Sequence, residues 1–288
     1  MQQGARDPHV ALGERLRAAR LARGVSLRRL AGQLDVSPAT LSAVETGGTS
    51  LSAVRLARLA DLLEVPVSTL LPRAAVASPR TPLATTGWRA FDPLPIEPSL
   101  VGALAAFLEL GYAGSTMRDI GERAGLSVAG LYHHHASKQE LLVCLLDLTM
   151  GDLLARSAAA QAQGRDCVER FSLLVECLAL FHTHRRDLGF IGASEMRSLA
   201  PQARAQVTQA RREQQRMVDE QVLLGCAEGR FATPRPYEAA RAVVTMCTAL
   251  PQWFSAAGPA TPEQVATQYV GFALDLVRYD AHHQEGPS

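Results

Sequence analysis

Lysine is almost missing from this 288-residue sequence. Lys138 is the only lysine, and the remaining strongly basic residues are all arginines. Aromatic residues make up 5% of the chain, and alternating clusters of Val, Ile, Tyr and Thr are scarce, which argues against an extensive β-sheet. No apolar stretch reaches the roughly 18–20 residues of a membrane helix, and the N-terminus lacks the apolar run of a secretion signal. These absences predict a cytoplasmic protein with no membrane partner.

The cysteines show no pattern of a disulfide framework or a metal site. They are odd in number, widely spaced in apolar stretches, and form neither a C-x-x-C pair nor a Cys/His zinc spacing (Cys144, Cys167, Cys177, Cys226 and Cys247). The consecutive histidines at 133–135 would point about 100° apart on a helix, so they cannot converge on one ion. We therefore predict buried free thiols, no metal and no cofactor.

Motifs of common catalytic sites are also missing. The second half of the chain has no G-x-S-x-G, no glycine loop for phosphates and no suitably placed carboxylate pair. An enzyme is therefore not the expected class of protein. The net charge of +1 hides an excess of arginine before residue 74, which permits contact with nucleic-acid phosphates without proving it.

Helix-forming residues are abundant. Ala, Leu, Arg, Glu and Gln dominate, which predicts an all-α fold. Changes in composition divide the chain into a helical N-terminal domain at 8–72, a proline-rich linker at 73–97, and a second helical region at 98–281. The family resemblance described below implies that this last region comprises two domains, at 98–143 and 144–281. Trp88 and Phe91 are unusual in a free linker, and both docking on a neighbouring domain and plain exposure are open alternatives.

A first helix-turn-helix lies in the N-terminal domain. Ser26 can cap one helix, and Ser37-Pro38 can begin the next with a capping hydroxyl and a first-turn proline. The run LGERLRAARLARGVSLRRLAGQLDVSPATLSAVETGG, followed later by PVSTLL, resembles the Cro/XRE family of five-helix DNA-binding domains. The resemblance implies an ion pair between Glu45 and Arg20. The candidate DNA-facing residues are Arg28, Ser37, Pro38, Ala39, Thr40 and Ser42.

The reading face of this first motif departs from the family. Members often carry Gln, Arg or Asn there, whereas this sequence offers Pro38, Ala39 and Ala43. Within the recognition helix itself, Thr40 and Ser42 are the only hydroxyls. Small residues can contact thymine methyl groups but cannot make the bidentate hydrogen bonds that discriminate bases strongly. We expect DNA binding of low intrinsic specificity, with a protein-contact role as the alternative.

A second and more specific pattern occupies residues 100–142. One amphipathic helix ends near Gly111, either Ser115 or Thr116 caps the next, and Ser127 begins a very short helix after a turn. A long helix then starts at Ser137. The pattern resembles the DNA-binding domain of the TetR family, with its Gly-Tyr…Thr…Ile…Ala-Gly-Leu-Ser…Leu-Tyr-x-His…Lys-x-x-Leu signature.

The TetR resemblance implies roles for individual residues. Thr116 and Tyr132 would contact phosphates, and Lys138 would add a cation to the anion-binding start of the long helix. The short helix would enter the major groove with Ser127, Val128, Ala129, Gly130 and His133. Gly121 and His135 stand where the family usually has Ala and an aromatic Phe, and Gly121 should weaken its helix by up to about 1 kcal/mol.

The same resemblance implies that the middle helices of the last domain enclose a ligand pocket. The last two helices, 237–254 and 262–279, would form a homodimer interface, and Pro251 should kink the first of them. The stretches EMRSLAPQARAQV and ALPQWFSAAGPATPEQVATQYVGFAL resemble TetR-type regulators that respond to acyl-CoA thioesters. Candidate pocket walls are Phe181, Phe190, Met196, Met246 and Trp253, with plain hydrophobic core as the alternative. Candidates for contact with an anionic ligand group, or otherwise solvated charges, are Arg185, Arg186 and Arg197.

Together these motifs predict a homodimeric, sequence-specific regulator of transcription that binds double-stranded DNA. Its TetR-type recognition helices would lie about 34–36 Å apart in successive major grooves, and a small-molecule effector would release this repressor from its operator. The alternative is an activator, or a protein that bridges DNA with four helix-turn-helix units per dimer. An enzyme with appended DNA-binding units has no support in the second half of the chain.

Overall fold

The computed structural model describes residues 8–49, 53–63, 65, 70 and 87–279, and the chain divides into two compact units. Within these residues the regular elements are helices, and the only strand-like feature is an isolated antiparallel bridge between Phe231 and Tyr279. The all-α prediction is therefore confirmed. None of the helices in the described ranges combines the length and the hydropathy that crossing a bilayer requires.

The N-terminal unit contains α1 (Pro8–Ala22), α2 (Leu27–Gln33), α3 (Pro38–Glu45) and α4 (Ala53–Leu62). The hydroxyls of Ser26 and Ser37 cap α2 and α3, and they accept backbone N–H bonds at 3.2 and 3.0 Å. These helices pack around fully or almost fully buried leucines (Leu16, Leu30, Leu41, Leu59 and Leu63). The PVSTLL stretch at 66–71 lies outside the described residues, apart from Leu70.

The second unit holds the remaining helices, with α7 counted up to Leu131. They are α5 (Pro98–Gly114), α6 (Met117–Ala124), α7 (Val128–His134), α8 (Lys138–Gln163), α9 (Cys167–His184), α10 (Arg186–Ser194), α11 (Pro201–Ala227), α12 (Pro236–Thr248), α13 (Leu250–Trp253) and α14 (Pro262–Leu276), with a 3₁₀ turn at Glu195–Ser198. Ser137 caps α8, and Thr261 forms a reciprocal capping box with Gln264 at the start of α14. The expected kink at Pro251 is a break, because α12 ends at Thr248 and Pro251 lies in the first turn of α13.

Two hydrophobic cores position the functional elements of this unit. One core joins α5–α8 to α10, and the other joins α9, α11, α12 and α14. Helix α8 contributes to both, with Leu141 and Leu145 in the first and Leu153 in the second. The 26 residues of α8 therefore connect the second helix-turn-helix to the C-terminal helices.

The cysteines are free thiols, and three of them are buried: Cys167, Cys177 and Cys247. This result confirms the prediction of free thiols, although Cys144 and Cys226 are only partly buried. Burial raises the pKa of Cys144 and of Cys167 to about 11. These side chains are therefore poor nucleophiles at neutral pH.

Candidate nucleic-acid interface

The second helix-turn-helix begins with a capping box. The Thr116 hydroxyl accepts the N–H of Asp119 at 3.2 Å, while the Asp119 carboxylate accepts both the N–H and the hydroxyl of Thr116, at 2.8 and 2.6 Å. These bonds lower the pKa of Asp119. The predicted phosphate-contacting hydroxyl is exposed, but its proton points to Asp119, so a phosphate contact requires that proton to change partner.

Helix α7 presents the predicted groove-facing residues to the outside. Leu131 is fully buried and fixes one side of the helix, whereas Val128 and Tyr132 are 40% and 42% exposed. Ala129 and His133 are also exposed, and Gly130 is half-buried. The exposed Ser127 accepts the Gly130 N–H at 3.0 Å, so its side chain is occupied in starting the helix. Helix α7 is therefore short and anchored by Leu131, and its exposed face carries both small apolar and polar side chains.

Lys138 has a role that the sequence did not reveal. Its ammonium donates to the carbonyls of Tyr112 and Ser115, at 2.5 and 2.6 Å, and lies 4.3 Å from the centre of the Tyr112 ring. Desolvation by burial lowers the pKa of this lysine. Gly111, with φ of 70°, interrupts α5 just before these carbonyls. Lys138 therefore holds the junction between α5, α6 and α8, and its predicted phosphate contact stays a prediction.

Helix α6 packs tightly on its neighbours. Arg123 donates to the Glu109 carboxylate of α5 at 2.6 Å and to the carbonyl of Asp119 at 3.0 Å. A Cβ atom at Gly121 would lie 2.8 Å from the Leu126 carbonyl oxygen. Packing therefore explains why glycine replaces the family's usual alanine at position 121: the turn before α7 passes too close for a methyl group.

The first helix-turn-helix also has an exposed reading face. Each of its predicted DNA-facing residues is exposed: Arg28, Ser37, Pro38, Ala39, Thr40 and Ser42. Behind this face, Arg20 makes a two-pronged contact with Glu45, at 2.6 and 2.8 Å, and both side chains are buried. The predicted ion pair is confirmed, and it joins α1 to the end of α3.

The predicted pocket residues do not lie together. Phe181 is fully buried in the core of α9, α11 and α12, against which Met246 also packs. Phe190 and Met196 pack on the other core, beside α5 and α8. Trp253 is 58% exposed, and its place in a pocket wall stays a prediction. It follows the break at Pro251, which turns it to the surface.

The arginine candidates of the sequence analysis have other partners. Arg185 donates to the Asp92 carbonyl at 2.6 Å, and Arg186 donates to the Phe254 carbonyl at 2.9 Å. Arg197 is exposed on the 3₁₀ turn. An anionic ligand group would have to compete with these backbone acceptors at Arg185 and Arg186.

Buried polar side chains on α9 and α11 escaped the sequence analysis. Nδ1 of His182 lies 2.8 Å from the Leu178 carbonyl, and burial lowers the pKa of His182 to about 4. On α11, Gln214 and Gln221 are 3% and 5% exposed, and among the described residues Gln214 Nε2 and Gln221 Oε1 have no hydrogen-bond partner. The seven-residue spacing of these glutamines, on the face that carries Val218, was the available signal.

The C-terminal helices expose large apolar side chains. Tyr237 on α12 is 59% exposed, and Phe272 and Leu276 on α14 are 54% and 43% exposed. Trp253 stacks on Tyr269 at 6.5 Å between ring centres, and Tyr269 lies 6.1 Å from Phe272. This is an apolar surface of the kind that protein partners cover.

Comparison with known proteins identifies the family. Residues 100–144 match the profile described as "Bacterial regulatory proteins, tetR family", and residues 164–277 match "Tetracyclin repressor-like, C-terminal domain". The "HTH-type transcriptional repressor KstR2" of Mycobacterium tuberculosis is 31% identical over 176 residues, which cover 60% of this chain and 87% of that protein. This chain belongs to the TetR family. As a TetR-family protein it is a DNA-binding regulator of transcription.

Two further likenesses extend the family assignment. The solved structure of the M. tuberculosis "ketosteroid transcriptional regulator KstR2" is 27% identical, with a TM-score of 0.59, and the match covers 64% of this chain and 95% of that one. The "HTH-type transcriptional activator FasR" of Mycolicibacterium smegmatis is 32% identical over 85 residues, 30% of this chain and 39% of that protein. Residues 11–71 match a separate profile, "Helix-turn-helix domain", so this TetR-family chain carries a Cro/XRE-like domain at its N-terminus.

Proposed function

We propose that this TetR-family regulator is a homodimeric repressor that a small-molecule effector releases from its operator. The observation that carries the proposal is the outer face of α7, where exposed Val128, Ala129 and Tyr132 stand on a helix seated by buried Leu131. Small and apolar residues of this kind suit thymine methyl groups, and a tyrosine hydroxyl suits a phosphate. The repressor name of the KstR2 relatives supports the direction of regulation.

A twofold dimer through α12 and α14 is part of the proposal. The exposed aromatic surface of Trp253, Tyr269 and Phe272 would be covered by the same surface of a second copy. A twofold axis would place the two α7 helices on successive major grooves, about 34–36 Å apart, and would require a near-palindromic operator.

The effector we propose is an acyl-CoA thioester or another apolar small molecule. Its acyl part would enter between α9 and α11, beside Phe181 and Met246. Nε2 of buried Gln214 and Oε1 of buried Gln221 lack partners among the described residues; an effector carbonyl could accept from the first and an effector hydroxyl could donate to the second. The name of the solved ketosteroid regulator supports an apolar effector of sterol-like size. Phe190 and Met196, which pack on the neighbouring core, would shift when the effector binds.

The Cro/XRE-like domain would extend binding to flanking DNA, with its small-residue face adding affinity more than sequence discrimination.

An activator is the second candidate, because FasR, an activator by name, shares similarity over 85 residues. Either regulator would work in the cytoplasm, where a bacterial chromosome lies, and neither requires a catalytic step from this chain.

The test is in vitro selection of genomic fragments by the full-length protein, followed by footprinting and a reporter assay. Ala129→Glu should abolish the discrete footprint, because a carboxylate on the outer face of α7 would repel DNA phosphates. The matched control is Ala158→Glu, which places the same charge on an exposed position of α8. Repression of the reporter supports the proposal and activation favours the second candidate. A footprint that survives Ala129→Glu would refute α7 as the recognition helix.

A further inference from the structure

The segment 87–97, which we call the strap, precedes the TetR-family match at residue 100 and packs on α8 and α9. The sequence left docking and exposure open for its two aromatic residues, and the structure shows docking. Trp88 is 2% exposed. It is buried with residues of α8, α9, α13 and α14 and their flanks, namely Ala160, Leu180, Leu250, Phe254 and Val265. A free linker would leave this indole in water.

Polar contacts around Trp88 join α8 to α9. The indole N–H donates to the Gln163 side chain of α8 at 2.9 Å. The Arg89 guanidinium lies 3.9 Å from the centre of the Trp88 rings and donates twice to Glu176 of α9, at 2.5 and 2.7 Å. Neighbouring residues of the strap therefore bind different helices.

A buried arginine of α8 receives the strap backbone. Arg156 is 2% exposed and pairs with Asp152 at 2.8 Å. Its Nη1 donates to the carbonyls of Trp88 and Ala90, at 2.8 and 2.7 Å. A buried ion pair is unfavourable unless its remaining hydrogen-bonding groups find partners, and here the strap supplies two acceptors for Nη1 of Arg156. The strap is thus part of the folded unit.

The next residues bind the end of α9. The Phe91 ring lies between the Arg156 guanidinium, 4.1 Å from the ring centre, and the His184 ring, stacked at 4.5 Å. Arg185 donates to the Asp92 carbonyl at 2.6 Å, and its Nε lies 3.5 Å from the Asp152 carboxylate. Two arginines, one from each side, therefore hold consecutive parts of one strap.

The position of the strap matters because α8 is continuous. Its first turn carries Lys138, which holds the carbonyls just before Thr116, and Arg156 lies about 27 Å further along the helix axis. A small rotation of α8 against α9 at the strap would therefore move the second helix-turn-helix at the other end. We infer that the strap is a positioning element for α7, which holds α8 against α9 and so sets the direction of the recognition helix.

This inference rests on the proposed role of α7 in DNA binding. A dimer has two recognition helices that must fit two grooves at once, so a wider range of α8 directions makes the fitting arrangement rarer. Loosening the strap should weaken operator binding by about fivefold or more, the lower range of typical couplings between sites. The strap residues lie outside the predicted DNA-contacting sets, so the loss would arise through position alone.

The experiment uses the full chain with Trp253→Phe, which leaves Trp88 as the single tryptophan. Because Trp253 belongs to the proposed dimer surface, operator binding and dimer mass are first compared between this parent and the unaltered chain. Arg89→Glu places a carboxylate against Glu176, and Phe91→Ala empties the space between Arg156 and His184. Acrylamide quenching of Trp88 reports whether the strap is seated, and fluorescence anisotropy gives the Kd for the selected operator fragment. We expect both variants to increase quenching and raise the Kd about fivefold or more. Adding Glu176→Arg to Arg89→Glu should restore both values.

Two controls separate positioning from loss of stability. Arg165→Glu makes the same change in another Arg–Glu pair, with Glu169, that does not touch the strap, and should alter neither readout. Val243→Ala in the core of α12 should lower Tm without changing the operator Kd by more than about twofold. Trp88 exposure with an unchanged Kd would overturn the inference, as would full shielding of Trp88 in both strap variants. Failure of the proposed function is seen separately, as absent operator binding in the parent protein.

Discussion

The ammonium of Lys138 lies 2.5 Å from the carbonyl oxygen of Tyr112 and faces the ring of the same residue. The only lysine of the chain therefore holds the end of α5, where Gly111 has broken the helix, against the start of α8. These contacts give Lys138 a structural role inside the helix-turn-helix. Experiments can distinguish this role from a phosphate contact.

Lys138→Ala should lower the free energy of unfolding by about 1–3 kcal/mol, because the Tyr112 and Ser115 carbonyls lose a charged donor. It should weaken operator binding without changing the slope of log Kd against log salt concentration. A residue that neutralises one phosphate would reduce that slope by about 1. Titrations at several salt concentrations distinguish the two roles. The exposed Arg118 of α6, replaced by Ala, serves as the stability control.

Gly121→Ala should destabilise the protein, although alanine favours helices. The added Cβ would lie 2.8 Å from the Leu126 carbonyl, so the turn before α7 would have to shift, with a loss of about 1–3 kcal/mol. Gly151→Ala is the matched control, since a Cβ there meets nothing within 4 Å, and it should stabilise α8 by up to about 1 kcal/mol. Urea unfolding of the two variants should give changes of opposite sign.

Breaking the buried ion pair of Arg20 and Glu45 should lower the stability of the N-terminal domain. Glu45→Ala leaves the guanidinium buried without its carboxylate, which costs about 3–5 kcal/mol. The double variant Arg20→Met, Glu45→Leu should recover much of this loss because it leaves no unpaired charge. Thermal unfolding followed by circular dichroism would show the change, and equal losses in the single and double variants would contradict it.

The burial of His182 makes stability depend on pH in a defined window. Its pKa falls from the ordinary 6.5 to about 4 in the folded chain, so below pH 6.5 the unfolded state binds the additional proton. The stability that depends on neutral His182 is fully present above pH 6.5 and is lost as the pH falls toward 4. Between pH 7.5 and 5.5 the native protein should lose about 1 kcal/mol more stability than His182→Gln. Identical pH profiles would show that folding leaves the pKa of His182 unchanged and would contradict the prediction.

Phe272→Glu should convert the proposed dimer to monomers. The ring is 54% exposed on α14, and a carboxylate there would enter the centre of the covered surface. Leu224→Glu, on an exposed position of α11, is the control and should stay dimeric. Sedimentation velocity gives the mass, and operator affinity should fall together with dimerisation. A dimer that persists in Phe272→Glu would place the interface on another surface.

The sequence predicted the elements whose cause is local. Ser26, Ser37, Thr116, Ser137 and Thr261 each cap the expected helix, because a cap needs only a hydroxyl and the following two or three N–H groups. Both helix-turn-helix motifs and the ion pair behind the first also followed from local spacing and family resemblance.

Features that depend on distant parts of the chain were harder to predict. Residues 237–254 were expected to form one helix with a kink at Pro251, yet α12 ends at Thr248 and Trp253 is exposed. Lys138 was assigned to phosphate because of its place at a helix start, but carbonyls 23 and 26 residues away bind it. Arg156 and Trp88 are 68 residues apart, and no local pattern connects them.

Docking of the strap also places the edge of the folded unit ahead of the edge of the family match. The match begins at residue 100, whereas Trp88 is 2% exposed and its carbonyl accepts a hydrogen bond from buried Arg156. A fragment cut at the family boundary would leave Arg156 without these acceptors and would open the core that the indole fills. The smallest fragment of the TetR-like part that keeps its native packing should therefore begin no later than Gly87.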